Sequence, residues 1–292
     1  MEFLLPFTYF VFQSAFNLIF SDINGLLIQP YFSPFYFVVQ SNNKIPMHTT
    51  HDWVRFFRHN ATHHRVNWDL MPGITPSQTK TILRHLQAWQ LGETSDGRHL
   101  LRAAFLHARK TGDEHFVEAM QLFIKEEQKH GENLGRYLDM IGQPRVGHNW
   151  GDTLFRKARH FNTSMEAWTL AVLTVESGAQ VFYQSLKDAT SCVLLKQICR
   201  EILIDEAYHI EFQRERMEQI FRAKSSLSRL VCKIVYRVFY FSTIHVMWFA
   251  HRELFKAGGN TYGSFLRKMR YKYHKTLHRI TSAEPAPQLS YS

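Results

Sequence analysis

Two copies of the pattern Glu-x-x-His constrain this chain more than any other feature. Glu127 and His130 form the first copy, and Glu206 and His209 form the second, about eighty residues later. In an α-helix, residues three apart lie on the same face, so the carboxylate and the imidazole of each copy can bind one metal ion together. A chain with two such helices can therefore hold two ions, provided that both pairs face the interior.

Apolar residues around both motifs recur at the three- and four-residue spacing of a buried helix face. They are Phe116, Met120, Phe123, Leu134, Leu138 and Ile141 around the first motif, and Leu195, Ile198, Ile202, Met217 and Ile220 around the second. Each Glu-His pair fills a gap in its apolar face, whereas Glu126 falls in a polar row and is expected to be solvated. Carboxylates are rarely buried without a partner, so two buried pairs call for a compensating positive charge.

Helix start signals divide this part of the chain into hairpins. Capping-box patterns begin at Thr75, Thr111 and Thr163, and the first is followed by proline, which is favoured at the first helical position. These signals predict two helical hairpins, over residues 76–141 and 164–222.

The hairpins also predict further ligands, because residues at equal distances from an antiparallel turn lie side by side. Reflection of the first motif through a turn near residue 111 reaches Glu93, and reflection of the second through a turn near 191 reaches Glu176. Four carboxylates and two imidazoles at one level of a bundle form the ligand set of di-iron or di-manganese bundle proteins. We therefore predict an all-α fold, a four-helix bundle with a long crossover and extra C-terminal helices.

The predicted helix that carries Glu93 has two unusual features. Gly92 and Gly97 lie on either side of Glu93, and glycine in a helix interior costs about 1 kcal/mol relative to alanine. Close helix contact or room for a ligand would offset that cost. Asp96, about one turn later, is the alternative ligand; Glu93 is preferred because it is centred in the apolar face.

These residues resemble the ferritin-like superfamily of di-iron carboxylate proteins, which includes bacterioferritins, rubrerythrins, ribonucleotide reductase small subunits, acyl carrier protein desaturases and bacterial multicomponent monooxygenases. The resemblance covers residues 76–222, half of the chain. It implies a ferritin-like bundle with two iron ions, and manganese also suits hard oxygen and imidazole ligands. The six implied ligands are Glu93, Glu127, His130, Glu176, Glu206 and His209.

The same resemblance implies a role for each ligand. The two motif carboxylates would bridge the ions, each of the other two carboxylates would bind one ion, and each histidine would bind one. Asp205 stands where several members place a carboxylate that orients a ligand histidine. Tyr183, two turns after Glu176, lies either beside the ligands or in the core. The small residues 177–179 either leave room for oxygen or substrate or allow close helix packing.

Two departures narrow the function. Leu134 occupies the position of the radical tyrosine of ribonucleotide reductase small subunits, and the chain has no Cys-x-x-Cys pair for a rubrerythrin-type iron. The resemblance then implies an O2-dependent oxidase or oxygenase that acts on an apolar or acyl substrate and takes electrons from a donor. The alternatives are a ferroxidase or iron-handling protein and, less favoured, a metal-free structural bundle.

Composition bounds the rest of the chain. With 292 residues, 45% of them apolar, it can bury a substantial core. Its three cysteines are typical of a reducing compartment, so we expect a cytoplasmic protein. Cys192 and Cys199 are expected to be small core residues.

The remaining segments outside the hairpins differ in character. Residues 1–46 are apolar, and three interpretations stay open: a poor membrane anchor, a packing arm, or an upstream extension with Met47 as the true start. Residues 47–75 carry five histidines and several aromatic rings, and are expected to form a strap across the bundle without a metal. The connection over 143–162 includes a predicted short helix, Trp150–Phe161.

The C-terminal part of the chain carries its net positive charge. Residues 222–292 contain thirteen Lys or Arg and two acids, and so account for the whole net charge of +10. We predict a basic, aromatic helical extension over 223–280, with an uncharged run at Val238–His251 too short to span a bilayer. Its basic face is either simply solvated or contacts an anionic membrane surface, an acidic protein or nucleic acid. Residues 281–292 are expected to be disordered, and a homodimer is compatible with these features.

Overall fold

A computed structural model describes residues 47–148 and 164–282 of the chain. The predicted N-terminal extension, the predicted helix Trp150–Phe161 and residues 283–292 lie outside the described residues. Within the described ranges the structure is helical and contains no strand, which confirms the all-α prediction.

Eight α-helices and a short terminal segment make up the described part of the chain. The helices are α1 Thr50–Ala61, α2 Pro76–Glu93, α3 Arg98–Thr111, α4 Phe116–Met140, α5 Met165–Asp188, α6 Val193–Arg222, α7 Ser226–Ala257 and α8 Tyr262–Tyr273. A five-residue π-helix, His274–His278, and a last turn, α9 Arg279–Ser282, follow α8. Thr281 is buried in this last turn, so the prediction that disorder begins at residue 281 is wrong.

The first hairpin forms, but its first arm is broken. The prediction of one helix from residue 76 to the turn is wrong, because α2 ends at Glu93 and α3 begins at Arg98. Gly97 lies between them with φ +64°, in the left-handed region that glycine tolerates best. A Cβ atom there would also lie only 2.5 Å from Ile124 Cδ1 of α4. Gly97 is therefore part of a turn and not of a helix interior.

The predicted caps are confirmed at one helix and displaced at two others. Thr75 and Gln78 form the expected capping box before Pro76. Thr111 instead ends α3, and α4 begins after His115, which forms no side-chain cap. Ser164, one residue after the predicted cap, accepts a hydrogen bond from the Ala167 amide at the start of α5.

The second hairpin, α5 and α6, forms the centre of the molecule. Most side chains of α5 are buried, because α6 and α7 pack along it and α3 and α8 also contact it. The apolar face predicted for α6 is buried from Leu195 to Met217, with Glu206 and His209 within it. Burial of apolar surface on this scale is the main stabilising contribution to such a bundle.

The segment predicted to be a strap contains a packed helix. Trp53, Val54 and Phe57 of α1 are buried against α4 and α6. Its end brings Asn60 into the interior, where the side chain is also buried. This placement decides how the predicted ligand residues are held.

Helix α7 packs on the outside of α5 and α2, and ends before Gly258 and Gly259. Its backbone departs from helical geometry at His251. Met247 fills the space next to Gly178 of α5, where an added Cβ would lie 2.3 Å from Met247 Cε. The small residues of α5 therefore serve close helix packing at that point. By length and composition alone, α7 could also cross a membrane, a test that core helices of other proteins pass too.

Candidate metal centre

The structure brings the six predicted ligand side chains together at one level of the bundle. The ligand atoms form two groups, and within each group all atoms lie within 4.8 Å of one another. The first comprises Glu127, Glu176, Glu206 and His209, and the second comprises Glu93, Glu127 and His130. Glu127 belongs to both groups, so its carboxylate connects them.

Glu206 occupies the space between the two histidines. Its Oε1 is 3.8 Å from His130 Nδ1, and its Oε2 is 3.5 Å from His209 Nδ1. The two imidazole rings are 5.6 Å apart between centroids. Both motif carboxylates therefore lie between the two histidines.

The atoms that face this cluster lack hydrogen bonds. Among the described residues, buried atoms without a hydrogen-bond partner include Glu127 Oε1, both carboxylate oxygens of Glu206, His130 Nδ1 and His209 Nδ1. His209 Nδ1 and Glu127 Oε1 are 2.7 Å apart, yet they do not meet hydrogen-bond geometry. Buried polar atoms are normally hydrogen-bonded, so these orphaned atoms fit positions that bind cations.

The opposite edge of each histidine is bound to a carboxylate. His130 Nε2 donates to Asp205 Oδ2 at 3.1 Å, and His209 Nε2 donates to Glu126 Oε2 at 2.7 Å. The carboxylates fix the proton on Nε2, so both rings present Nδ1 to the cluster. Glu126 is 5% exposed, and the prediction that it is solvated is wrong.

Asn60 of α1 connects the two outer carboxylates. Its amide nitrogen donates to Asp205 Oδ1 at 2.9 Å and also to Glu126 Oε1. Arg65 in turn donates to Asp205 Oδ1 at 2.9 Å and to the Asn60 side-chain oxygen. The segment after residue 47 thus supplies no cluster ligand but fixes the residues that hold the histidines.

Burial and like charge perturb the cluster carboxylates. Burial, together with the nearby Glu127, raises the pKa of Glu93 well above its usual value, and burial with Glu206 does the same to the pKa of Glu176. Burial and repulsion by Glu127 raise the pKa of Glu206 to about 7. Without positive charge, the cluster therefore retains protons near neutral pH.

Glu93 is held from two further directions. The Tyr183 hydroxyl donates to Glu93 Oε1 at 2.7 Å, and Tyr183 is fully buried. Gly131 allows the end of α2 to approach α4 closely, because an added Cβ would lie 3.1 Å from Glu93 Cβ. Asp96 does not join the cluster: its side chain is 55% exposed and binds Arg98.

Comparison with solved structures finds the same architecture. An R2-like ligand-binding oxidase with an aerobically reconstituted Mn/Fe cofactor has a TM-score of 0.56 at 16% sequence identity, over 78% of this chain and 91% of that chain. A Tyr-to-Phe variant of an R2-like ligand-binding oxidase, also with an aerobically reconstituted Mn/Fe cofactor, has a TM-score of 0.57 at 17% identity, over 80% of this chain and 92% of that chain. The fold is that of the R2-like ligand-binding oxidases. No protein-family model and no curated protein matches the chain.

The predicted ferritin-like bundle fold is thereby confirmed. Most of the R2-like oxidase chain is covered, so the similarity extends beyond the four bundle helices. The supporting residues outside the motifs were missed, because Asn60 and Arg65 precede the bundle and no spacing rule places them. Lys129 is a further supporting residue: its Nζ lies 2.9 Å from Glu201 Oε1 and 3.4 Å from Asp205 Oδ2.

Proposed function

We propose that this protein is a cytoplasmic di-metal oxidase or oxygenase that uses O2. The proposal rests on the buried atoms of Glu127, Glu206, His130 and His209 that lack a hydrogen-bond partner. These residues belong to two groups of candidate ligands, and the two groups share the Glu127 carboxylate. The similarity of the fold to oxidases described with a Mn/Fe cofactor supports it.

Two divalent ions fit the charge of this cluster. Four carboxylates, those of Glu93, Glu127, Glu176 and Glu206, balance the charge of two divalent cations, and the two neutral imidazoles complete the set. The proposed cofactor is two iron ions, and manganese in one position is compatible with the same hard ligands. Glu127 and Glu206 would bridge the ions, as their positions between the histidines favour.

The protein side chains would orient and protonate this centre. Reduced metal ions in such a site supply the electrons that activate O2. Asp205 and Glu126 hold the imidazole rings in the tautomer that presents Nδ1. The Tyr183 hydroxyl donates to Glu93 Oε1, so its proton lies at a defined position beside the cluster from which it can be delivered.

An apolar or acyl substrate suits the surroundings of the cluster. Phe123 and Phe57 lie against His209, with ring centroids at 4.8 and 6.0 Å. Rings at this distance exclude water from one side of the site and would favour an apolar group. An electron donor is a further required partner of such an oxidase.

The experiment is metal loading without oxygen, followed by exposure to O2. The purified chain, stripped of metal, is loaded with Fe(II) alone or with Fe(II) and Mn(II), and metal content and O2 uptake are measured. We expect about two ions per chain and O2 uptake. Glu93→Gln should lose at least one ion, whereas the matched control Asp96→Asn should behave as the parent, since Asp96 lies outside the cluster.

Binding of fewer than two ions by the parent chain, or full loading without O2 uptake, contradicts the proposal. Gel filtration separates the main alternative: a shell of many subunits would indicate iron storage, and a monomer or homodimer the oxidase. The substrate class is tested by supplying the loaded protein with free and esterified acyl chains under labelled O2. Label in an acyl product supports an oxygenase.

A further inference from the structure

Helix α7 has an outer apolar face that no described residue covers. Leu227, Leu230, Val231 and Ile234 are 73%, 55%, 42% and 43% exposed. They recur at intervals of three and four residues, so they share one side of the helix. Phe249, which is 63% exposed, lies five helical turns beyond Val231 on the same side. We call these five residues the α7 outer face.

The opposite side of α7 is part of the protein core. Tyr236, Tyr240, Ile244 and Met247 are buried, and the helix packs along α5. A helix held lengthwise against the bundle cannot cross a bilayer at the same time. Its exposed apolar side is instead placed as in an amphipathic helix that lies in a membrane interface.

The charges around this face are of one sign. From Ser226 to Arg252 the helix contains cations but no acid, and Glu253, which follows, binds Arg84. Lys233 and Arg237 are exposed, and neither forms an ion pair with a described residue. Exposed lysine and arginine beside an apolar helix face attract anionic lipid head groups.

We propose that the α7 outer face binds the surface of an anionic lipid bilayer. Its apolar side chains would enter the interface, while Lys233 and Arg237 contact the head groups. A second copy of the chain fits less well, because a two-fold interface brings the same patch together and would place these cations opposite one another without an acid. The inference does not depend on the metal centre.

The C-terminal end of the face has the same chemistry. Phe249 lines a shallow surface pocket together with Trp248, Arg252, Lys256 and Tyr262. Arg252 and Lys256 are exposed there beside aromatic rings. Aromatic side chains with neighbouring cations are typical of residues at the level of lipid head groups. Both ends of α7 therefore present the combination that an anionic bilayer binds.

The test is flotation of the full-length protein with lipid vesicles. Vesicles of phosphatidylcholine alone are compared with vesicles that also contain phosphatidylglycerol. We expect binding to the anionic vesicles only, weakened by salt. The double variant Leu230→Ser with Ile234→Ser should bind at least about tenfold more weakly, since both apolar groups leave the interface.

Two further variants separate charge from apolar contact. Lys233→Gln with Arg237→Gln should weaken binding about tenfold or more and reduce its salt dependence, at roughly 1 kcal/mol for each cation. Leu106→Ser is the matched control, because Leu106 is 50% exposed on α3, away from α7, and should leave binding unchanged. All these positions are exposed, so the unfolding temperatures should stay those of the parent.

Several results would overturn the proposal. One is absence of binding to anionic vesicles, and another is equal binding by parent and variants. Binding to polyglutamate but not to vesicles would assign the face to an acidic protein. A dimer that Leu230→Ser with Ile234→Ser dissociates would assign it to a second copy. A lower unfolding temperature of that variant without vesicles would mean that another part of the chain covers the face.

Discussion

The two histidines of the candidate metal centre are held by the same arrangement but in different surroundings. Each presents Nδ1 to the cluster and donates from Nε2 to a carboxylate of the opposite motif helix. Those carboxylates, Asp205 and Glu126, come immediately before the glutamates of the two motifs. Asn60 donates to both carboxylates. One amide therefore connects the two halves of the site, the half that contains His130 and Asp205 and the half that contains His209 and Glu126.

The two halves differ in the residues that surround the histidine and its carboxylate. Asp205 forms ion pairs with Arg65 and Lys129, in addition to its hydrogen bonds with Asn60 and His130. Burial alone would raise the pKa of Asp205, but the hydrogen bonds and charges of these neighbours hold it well below its usual value. The half at His209 lies instead among aromatic rings. One histidine is therefore held mainly by charge and the other mainly by packing.

Glu206→Ala should have the largest effect, because it removes the residue that both halves share. The expected result is a fall from about two bound ions per chain to less than one, measured by metal analysis after anaerobic loading. Glu211→Ala is the matched control on the same helix, since Glu211 is 40% exposed and binds Arg214. Retention of two ions by Glu206→Ala would show that the halves bind metal independently.

Asn60→Ala should weaken both halves together. Loss of the amide leaves Glu126 and Asp205 without their common donor, and mutation of residues that orient ligands typically lowers metal affinity by about 10- to 100-fold. The measurement is competitive titration with a chelator. Asn67→Ala, a change of an exposed residue in the same segment, serves as control. An effect confined to one ion would mean that Asn60 supports only one half.

Glu126 shows what the sequence contained and what was overlooked. Both motifs have an acid directly before the ligand glutamate, so the role inferred for Asp205 applied equally to Glu126. The polar row on α4 concealed this, because a helix with neighbours on two sides can bury part of its polar face. Asn60 differs: it comes from a helix before the bundle, and no local pattern fixes where that helix packs.

Glu93 lies in the cluster because two departures from the predicted hairpin geometry cancel. The turn is centred near residue 113 and not 111, so reflection of the first motif now points to about residue 98. The non-helical residues between α2 and α3 change the register and bring Glu93 to that level. Reflection of a motif through a hairpin turn assumes that both helices are unbroken. That assumption fails at Gly97, whose backbone is left-handed. At the second hairpin, where both helices are continuous, no such correction is needed.

Arg65→Gln should sharpen the contrast between the halves. It removes the charged donor to Asp205 and to the Asn60 side-chain oxygen, while the Asn60 amide and Lys129 still donate to Asp205 and the contact of Glu126 with His209 stays in place. We expect a several-fold loss of affinity for one ion only, smaller than the Asn60 effect because Arg65 is partly exposed. Two-site analysis of the binding isotherm checks this. An equal loss at both ions would show that charge, like Asn60, acts on the whole centre.

The pH dependence of stability should give the smallest effect. Burial and Glu127 raise the pKa of Glu206 to about 7, and the pKa of His209 is also raised, because the nearby carboxylates outweigh the effect of its burial. A raised pKa in the folded state means that stability present at low pH is lost as pH rises through that value. The metal-free protein should thus lose stability between about pH 5 and pH 8, whereas bound cations replace the protons. The metal-induced rise in unfolding temperature should grow by several degrees over that range, as scanning calorimetry can measure. If the rise is constant with pH, the cluster carboxylates are already ionised without metal, and burial is not what tunes them.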